Sequence, residues 1–364
     1  MAKDNNTLAV SQRPKGYTWL ELRDLARVTL DAGVSALMLG HPGVGKSALA
    51  KTLASEMKIP LIDIRLAQKD PAEIGGVYFP DQENGVLKLL APDWVKKACN
   101  EPCFVFLDEI NAAVSKLHQA AAYQIVLEKR VGPFIFHPKT VVMGAGNLEE
   151  DNAIVAPLSS ALANRFAHFQ LRVDKKSWVE WGLDNGIDSR ILGYISWMGE
   201  EALYLNSGDT LAFPSPRSWE MASKILQKSP HIDSKRIVTS CVGEVAAEGF
   251  ASWLLLYGKV DPEAIVKKGQ KIDFTSKKNN EPSFRYAAIF AVGSWVVSNL
   301  DKLEPAHLEN LMLFANSKGL DPEYQFLFIG KLNRSKDLIG KLKVLKSYQK
   351  LSSELVSIRS EFYK

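Results

Sequence analysis

Two short stretches carry residue types in patterns that can do chemistry. Residues 36–50 read ALMLGHPGVGKSALA: an apolar run ends in Gly40, His41, Pro42, Gly43, Val44 and Gly45, and then come Lys46, Ser47, Ala48 and a helical pattern. Glycines at 40, 43 and 45 let the backbone curl so that several N–H groups point at one anion. The helix that follows adds the positive end of its dipole. Lys46 reaches the β- and γ-phosphates of a nucleotide, and the Ser47 hydroxyl suits Mg²⁺. A strand before and a helix after put the pattern G-x-x-x-x-G-K-[ST] in its required context, so residues 40–48 are expected to bind a nucleotide. The second stretch, FVFLDEINAA, is an apolar strand ending in Asp108 and Glu109. Adjacent carboxylates at a strand tip can cap the next helix. After a phosphate loop in the same sheet they instead suggest that Asp108 holds the Mg²⁺ shell and Glu109 orients and polarises an attacking water. ATP and Mg²⁺ are the cofactors this implies.

The elements that must position these groups are legible in outline. TWLELRDLARVTLDAG (18–33) reads as a helix, with Thr18 and Glu21 at capping-box spacing and Gly33 as its stop. Strands are expected at 35–39, 60–66, 103–110 and 166–172, with VGPFIFHP and TVVMGAGN extended. A hairpin is expected around Asp81–Gly85. Helices are expected from the glycine-rich loop to Met57, from Pro92, and over VSKLHQAAAYQIVLEKR. Strands alternating with helices imply a mainly parallel sheet covered on both faces, with the phosphate site at the carboxyl ends of its strands. From about Lys175 the pattern is helical only. KKSWVEWGLDNGI, SRILGYISWMGEEALYL, PRSWEMASKILQK and SKRIVTSCVGEVAAEGFASWLLLYG each carry apolar residues at helical spacing. A polar, lysine-rich linker or long loop is expected at 267–282, then helices at 284–300, 305–318 and 335–360. The last stretch is basic, with nine Lys/Arg against three Asp/Glu in residues 331–364.

Composition narrows the class. A chain of 364 residues points to two or three domains, and 46% apolar with 24% charged residues fits a soluble globular protein. A net charge of +4 is too mild to imply nucleic acid by itself. The N-terminal MAKDNNTLAVSQRPKG has no apolar signal core, and the longest apolar run, Tyr286–Val297, is too short to span a bilayer and reads as a buried helix. Cys99, Cys103 and Cys241 form neither a disulfide framework nor a zinc set. A cytoplasmic protein without membrane contact is expected. Glu149-Glu150 and Glu200-Glu201 read as solvated faces.

The order of the glycine-rich loop, LDEIN, GAGN, LANRF and PSPRSWE is similar to AAA+ ATPases, and within them to the MoxR and dynein/midasin-related branch with a helix-2 insert. The resemblance covers roughly residues 16–258. It implies an α/β P-loop core with a five-stranded parallel sheet, an α-helical lid and a ring, usually hexameric, with ATP held between neighbours. The expected organisation is therefore a disordered N-terminus (1–16), a nucleotide-binding domain (17–174), a lid (175–260) and a helical C-terminal extension with a basic tail (261–364). Asn147 matches sensor 1, Arg165 the arginine finger, and Arg217 sensor 2 on the lid, acting in cis or in trans. Two positions depart from MoxR proteins: His41 stands where a proline is common, and Asn164 where an acidic residue precedes the finger. GGVYFPDQENGVLK fits the helix-2 insert and VGPFIFHPK a second hairpin before sensor 1. Their aromatics Tyr78, Phe79 and Phe134 either face a pore or partner, or cover the sheet edge.

The resemblance also implies a function. A MoxR-like ring uses ATP hydrolysis to remodel a partner protein with a von Willebrand factor A domain. The alternative is a nucleic-acid motor or loader, in which the basic tail (Lys331, Arg334, Lys336, Lys341, Lys343, Lys346, Lys350) supplies phosphate-binding charge. Interleaved Leu338, Ile339, Leu342, Val344 and Leu345 favour instead an amphipathic helix packed on the lid. A nucleotide-gated scaffold with little turnover is the third reading, and the full set Lys46, Asp108, Glu109 and Arg165 argues against it.

Overall fold

The computed structural model describes residues 16–112, 116–148, 158–205, 210–229 and 231–362. Residues 1–15 and the pair Glu149-Glu150 lie outside that set. The chain divides after Asp174 into two units, Met1–Asp174 and Lys175–Lys364.

The first unit opens on α1 (Trp19–Asp31), whose capping box is made: the Thr18 hydroxyl accepts from Glu21 N–H, and the Glu21 carboxylate accepts from Thr18 N–H. Those hydrogen bonds hold the Glu21 carboxyl below its ordinary range. The chain continues through β1 (Ser35–Gly40), α2 (Lys46–Met57), β2 (Leu61–Arg65) and α3 (Pro71–Gly75) to the hairpin β3 (Val77–Asp81) and β4 (Val86–Leu90). It goes on with α4 (Asp93–Asn100), β5 (Phe104–Asp108), α5 (Lys116–Glu128), a short hairpin of β6 (Arg130–Val131) and β7 (Phe134–Ile135), β8 (Val141–Gly146), α6 (Ser160–Ala163) and β9 (Phe166–Leu171). Five strands form one parallel sheet in the order β2-β5-β8-β1-β9. Every residue of β5 and β8 is buried, as a parallel sheet covered on both faces requires. One face packs Leu37, Ile64, Val105, Leu107, Val142 and Phe166 against Val95, Ile125 and Phe136. Each such side chain taken from water is worth about 1.5–3 kcal/mol. Gly16, the last residue of the stretch expected to be disordered, lies against the Gln170 backbone, and Tyr17 N–H bonds Gln170 O at 2.7 Å.

The two hairpins place their aromatics differently. Asp81 closes the first by pairing with Lys88 and accepting from Asn84 Nδ2 at 2.7 Å. Val77, Tyr78, Val86, Leu87 and Leu90 stand exposed on it. Phe134 of the second hairpin is not an exposed aromatic. It is half-buried and packs against the sheet core.

The second unit comprises α7 (Lys175–Asp184), α8 (Ser189–Met198), α9 (Glu200–Leu203), α10 (Pro216–Lys228), α11 (Ser234–Val242), α12 (Glu244–Tyr257), α13 (Pro262–Lys268), α14 (Pro282–Ser298), α15 (Pro305–Ala315), α16 (Pro322–Asn333), α17 (Lys336–Leu342) and α18 (Lys346–Phe362). Two stretches expected to be continuous are broken at glycines in the left-handed region, Gly199 (φ 92°) and Gly243 (φ 85°). The helix expected at 335–360 is also two. Leu338 and Leu342 are buried on α17, and Tyr348, Leu351 and Leu355 on α18. Six residues from 342 to 348 do not fit one stripe at 3.6 per turn, so the chain re-aims between them. Helix α16 was not foreseen. Its aromatic run YQFLFI masks the period, although Asp321 and Pro322 signal a helix start. The lysine-rich stretch at 267–282 is a loop within this unit rather than a linker between units. Phe274 is fully buried there, and its N–H bonds Lys318 O at 3.0 Å. The unit's core joins α8, α10 and α12 through Tyr194, Trp219, Phe250 and Trp253, with ring centroids 5.6–6.3 Å apart. Trp219 Nε1 donates to Ala202 O at 2.8 Å. Burial pushes the Tyr194 hydroxyl up to about 12.

The basic tail is not wholly a solvated face. The Lys331 ammonium donates to Ser189 Oγ at 2.6 Å and lies 5.7 Å from the Phe290 ring centre, and Arg334 pairs with Asp184. Burial lowers Lys331 from 10.5 to about 8, against the opposing attraction of Asp188. No described helix is long and apolar enough to cross a membrane.

Two outcomes follow for the second unit. Trp219→Ala removes a fully buried indole and leaves Ala202 O unpaired, so thermal or urea unfolding should show a loss of about 3–5 kcal/mol. Lys331 binds a proton in the unfolded chain up to 10.5 but in the folded chain only up to about 8. Its contribution is thus fully present above pH 10.5 and is lost as pH falls towards 8, with no slope below that. Lys331→Met should therefore flatten the rise of melting temperature between pH 8 and 10.5 relative to the unsubstituted chain, which paired thermal scans across that window check.

Candidate nucleotide site

Sheet order explains how residues far apart in sequence meet. β5, β8 and β1 are neighbours and run the same way, so the loop after β1, Asp108 at the end of β5 and Asn147 just past β8 emerge side by side. The loop curls because Gly43 and Gly45 take φ of 78° and 103°, which side chains with a Cβ resist. Gly45 is the N-cap of α2 and offers no side-chain hydrogen bond, so the first N–H groups of the helix face the loop. Gly40, Gly43, Gly45 and the N-terminus of α2 form a cradle suited to phosphate. His41, Pro42 and Gly43 are half-buried, Val44 is buried, and Ala48 is half-buried on the first turn of α2.

Lys46 is buried, and its ammonium is held by oxygens from two elements. It donates to Gly40 O at 2.5 Å, His41 O at 2.9 Å and Asn147 Oδ1 at 2.9 Å. Ser47 Oγ donates to Asp108 Oδ2 at 2.9 Å. A hydroxyl and a carboxylate oxygen in contact are the hard ligand set Mg²⁺ takes. The Asp63 carboxyl, one strand away, is raised by desolvation and then by the Asp108 charge, against the attraction of Arg65 and Lys51. Loop, helix end and oxygen pair all fit a nucleotide with its divalent ion. Among the described residues no group of three or more His, Cys, Asp or Glu could hold a metal ion.

Glu109 adopts φ 55°, in the left-handed region, immediately after the strand ends, and its N–H donates to Asp108 Oδ1 at 3.0 Å. A non-glycine residue held there costs about 1–2 kcal/mol and turns the chain off the strand axis. Of the expected residues, the structure brings together the loop, Lys46, Ser47, Asp108 and Asn147, with Glu109 on the adjoining turn. Arg165 makes other contacts: its guanidinium lies 4.5 Å over the Tyr123 ring and donates to Ala161 O. Asn164, Arg165, Phe166 and His168 line an open cleft. Arg217 belongs to the second unit, exposed in the first turn of α10, which the capping pair Ser215 and Ser218 fixes.

Sequence reasoning passed over Asn111. It is buried, and its amide bonds both backbone groups of Asn147. Its only signal is its place in LDEIN, three residues after Asp108.

Lys46→Ala should weaken nucleotide binding by about 10- to 100-fold, the worth of hydrogen bonds to a charged group at about 1.5–3 kcal/mol. Equilibrium titration with a fluorescent ATP analogue measures it, and an unchanged dissociation constant would remove the loop from the site.

Residues 36–172 match the family model described as ATPase family associated with various cellular activities (AAA). Midasin of Giardia intestinalis is 30% identical over 175 residues, 44% of this chain and 3% of that protein. The ATP-dependent zinc metalloprotease FtsH of Pelodictyon phaeoclathratiforme is 38% identical over 77 residues, 21% of this chain and 10% of that protein. The ribosome biogenesis ATPase nvl of Dictyostelium discoideum is 33% identical over 112 residues, 31% of this chain and 11% of that protein. The chain thus spans about a tenth or less of the length of these relatives. A phosphate loop at the end of β1, a carboxylate pair at the end of β5, an asparagine past β8 and a family match over the same strands identify residues 36–172 as an AAA ATPase domain.

Proposed function

We propose that this chain is a Mg²⁺-dependent, ring-forming ATPase of the MoxR-like kind that remodels a partner protein, one carrying a von Willebrand factor A domain. The observation that carries the catalytic part is the convergence of Lys46, Ser47, Asp108 and Asn147 at the carboxyl ends of three adjacent strands. The loop amides and Lys46 bind the phosphates, and Lys46 exchanges carbonyl partners for phosphate oxygens as it does so. Ser47 and Asp108 hold Mg²⁺, which when bound neutralises charge on the phosphates. Glu109 accepts a hydrogen bond from the attacking water and aims it at the γ-phosphorus, while the Asn147 amide keeps Lys46 in register. Arg165 leaves Tyr123 to reach a neighbouring subunit's phosphates, and Arg217 supplies a second guanidinium from the lid.

The remodelling part draws support from the first hairpin. Val77, Val86 and Leu90 stand exposed on one face of the hairpin and Tyr78 and Leu87 on the other, so both faces offer apolar groups to a partner. The nucleic-acid alternative draws less, because Lys331 is half-buried and bonded to Ser189, and Arg334 is paired with Asp184.

Glu109→Gln, which leaves the water unpolarised, should bind ATP normally, turn over about 100- to 10,000-fold more slowly, and retain its client. Affinity capture of the tagged variant in ATP and Mg²⁺, followed by mass spectrometry and nuclease digestion, identifies what is held. Retained protein with a von Willebrand factor A domain is expected. Retained nucleic acid without protein would reverse the reading. Arg165→Ala should abolish turnover while leaving nucleotide affinity intact, and mixing it with Lys46→Ala subunits should restore part of the activity if the finger acts across subunits.

A further inference from the structure

The turn after Asp108 carries a buried amide that the proposed mechanism does not use. Asn111 Nδ2 donates to Asn147 O at 2.7 Å, and Asn147 N–H donates to Asn111 Oδ1 at 3.1 Å. A primary amide has the donor and acceptor of a peptide group, so this pair reproduces a two-bond rung of sheet. The rung stands where the main chain cannot supply one. The β5–β8 register runs from Phe104 opposite Val141 to Leu107 opposite Gly144. The chain then turns through the left-handed Glu109, and only Ile110 N–H still reaches back, to Ala145 O at 2.9 Å. One step on, the Asn111 side chain replaces the missing strand. Gly146 makes the room: a Cβ there would lie 2.5 Å from Asn111 Oδ1 and 2.8 Å from its Cγ.

The bridge leads into the site. Asn111 fixes the Asn147 backbone, and Asn147 Oδ1 accepts from Lys46 Nζ at 2.9 Å. The turn it anchors, closed by Ala112 N–H on Glu109 O at 2.9 Å, is the turn that aims Glu109. We infer that Asn111 is a positioning residue for ATP hydrolysis: its amide ties the tips of β5 and β8 together and holds Asn147 and Glu109 in fixed relation to Lys46. This rests on the reading of the site as hydrolytic. The side chain must be an amide. An aspartate at 111 still accepts from Asn147 N–H but sets an oxygen against Asn147 O, and an alanine removes the partner of both half-buried backbone groups.

The test measures ATP turnover, affinity for a fluorescent ATP analogue and melting temperature on the full chain. The proteins are the unsubstituted chain, Asn111→Ala, Asn111→Asp, Gly146→Ala, Asn147→Ala and the double variant Asn111→Ala/Asn147→Ala. Turnover by the unsubstituted chain tests the hydrolytic reading by itself, and its absence overturns that reading and the inference with it. Where the chain turns over, Asn111→Ala and Gly146→Ala should each lower kcat about 10- to 100-fold, the scale of a small misplacement of catalytic groups. Analogue affinity should stay within about twofold, and the double variant should be no slower than Asn147→Ala within about twofold. Losses that multiply in the double variant mean that Asn111 does not act through Asn147, and they overturn the inference while leaving the hydrolytic reading intact. Should Asn111→Ala not fold, the near-isosteric Asn111→Asp and Gly146→Ala carry the same comparison, and full turnover in both overturns the inference equally.

Discussion

One buried ammonium organises the catalytic end of the first unit. Lys46 sits where water is largely excluded, and a charge there must be met by oxygens. Two come from the loop that carries it, Gly40 and His41, and one from Asn147 across the sheet. The curl of the glycine-rich loop, the placement of β1 beside β8 and the start of α2 at Lys46 are all conditions for that arrangement. The same geometry serves phosphate, because neutral carbonyls such as those of Gly40 and His41 yield to an anion. Asp108 meets Ser47 beside it.

The second unit solves a different problem, the stacking of helices whose apolar residues lie on more than one face. α14 is buried along most of its length, and glycines and aromatic rings let α8, α12 and α14 approach closely. Half-buried charges here have partners, Arg190 with Asp188 and Lys331 with Ser189. Residues 261–364 are thus integral to the unit, not an appendage to it.

What the sequence reveals depends on whether the relevant spacing is local. The glycine-rich loop and Asp108-Glu109 are contiguous in the chain, so their chemistry can be read from spacing alone. The five strands can be read because each is a short apolar run between turn residues. Asn147, which meets Lys46, is singled out only through the order of several weak motifs. Asn111 is not, because its importance lies in a register between strands 36 residues apart that no local pattern encodes. The helical half failed differently. Gly199 and Gly243 look like tolerated glycines in long helices until their left-handed backbones show them to be breaks. A Lys331 bonded to Ser189 looks like any member of a basic run. For Phe134 the choice between facing a partner and covering the sheet is open until the core beneath it is seen.

The two arginines Arg165 and Arg190 show how one side chain can be fixed or movable according to its company. Arg190 is gripped by Asp188 through two nitrogens at 2.7 and 3.0 Å, and its place is settled. Arg165 rests on a π face and a single carbonyl. A cation–π contact at an exposed site is worth about 0.5–1 kcal/mol, little more than thermal energy. Such a perch is a latch rather than an anchor: a stronger anion can draw the Arg165 guanidinium away, where the Asp188 carboxylate holds Arg190 in place.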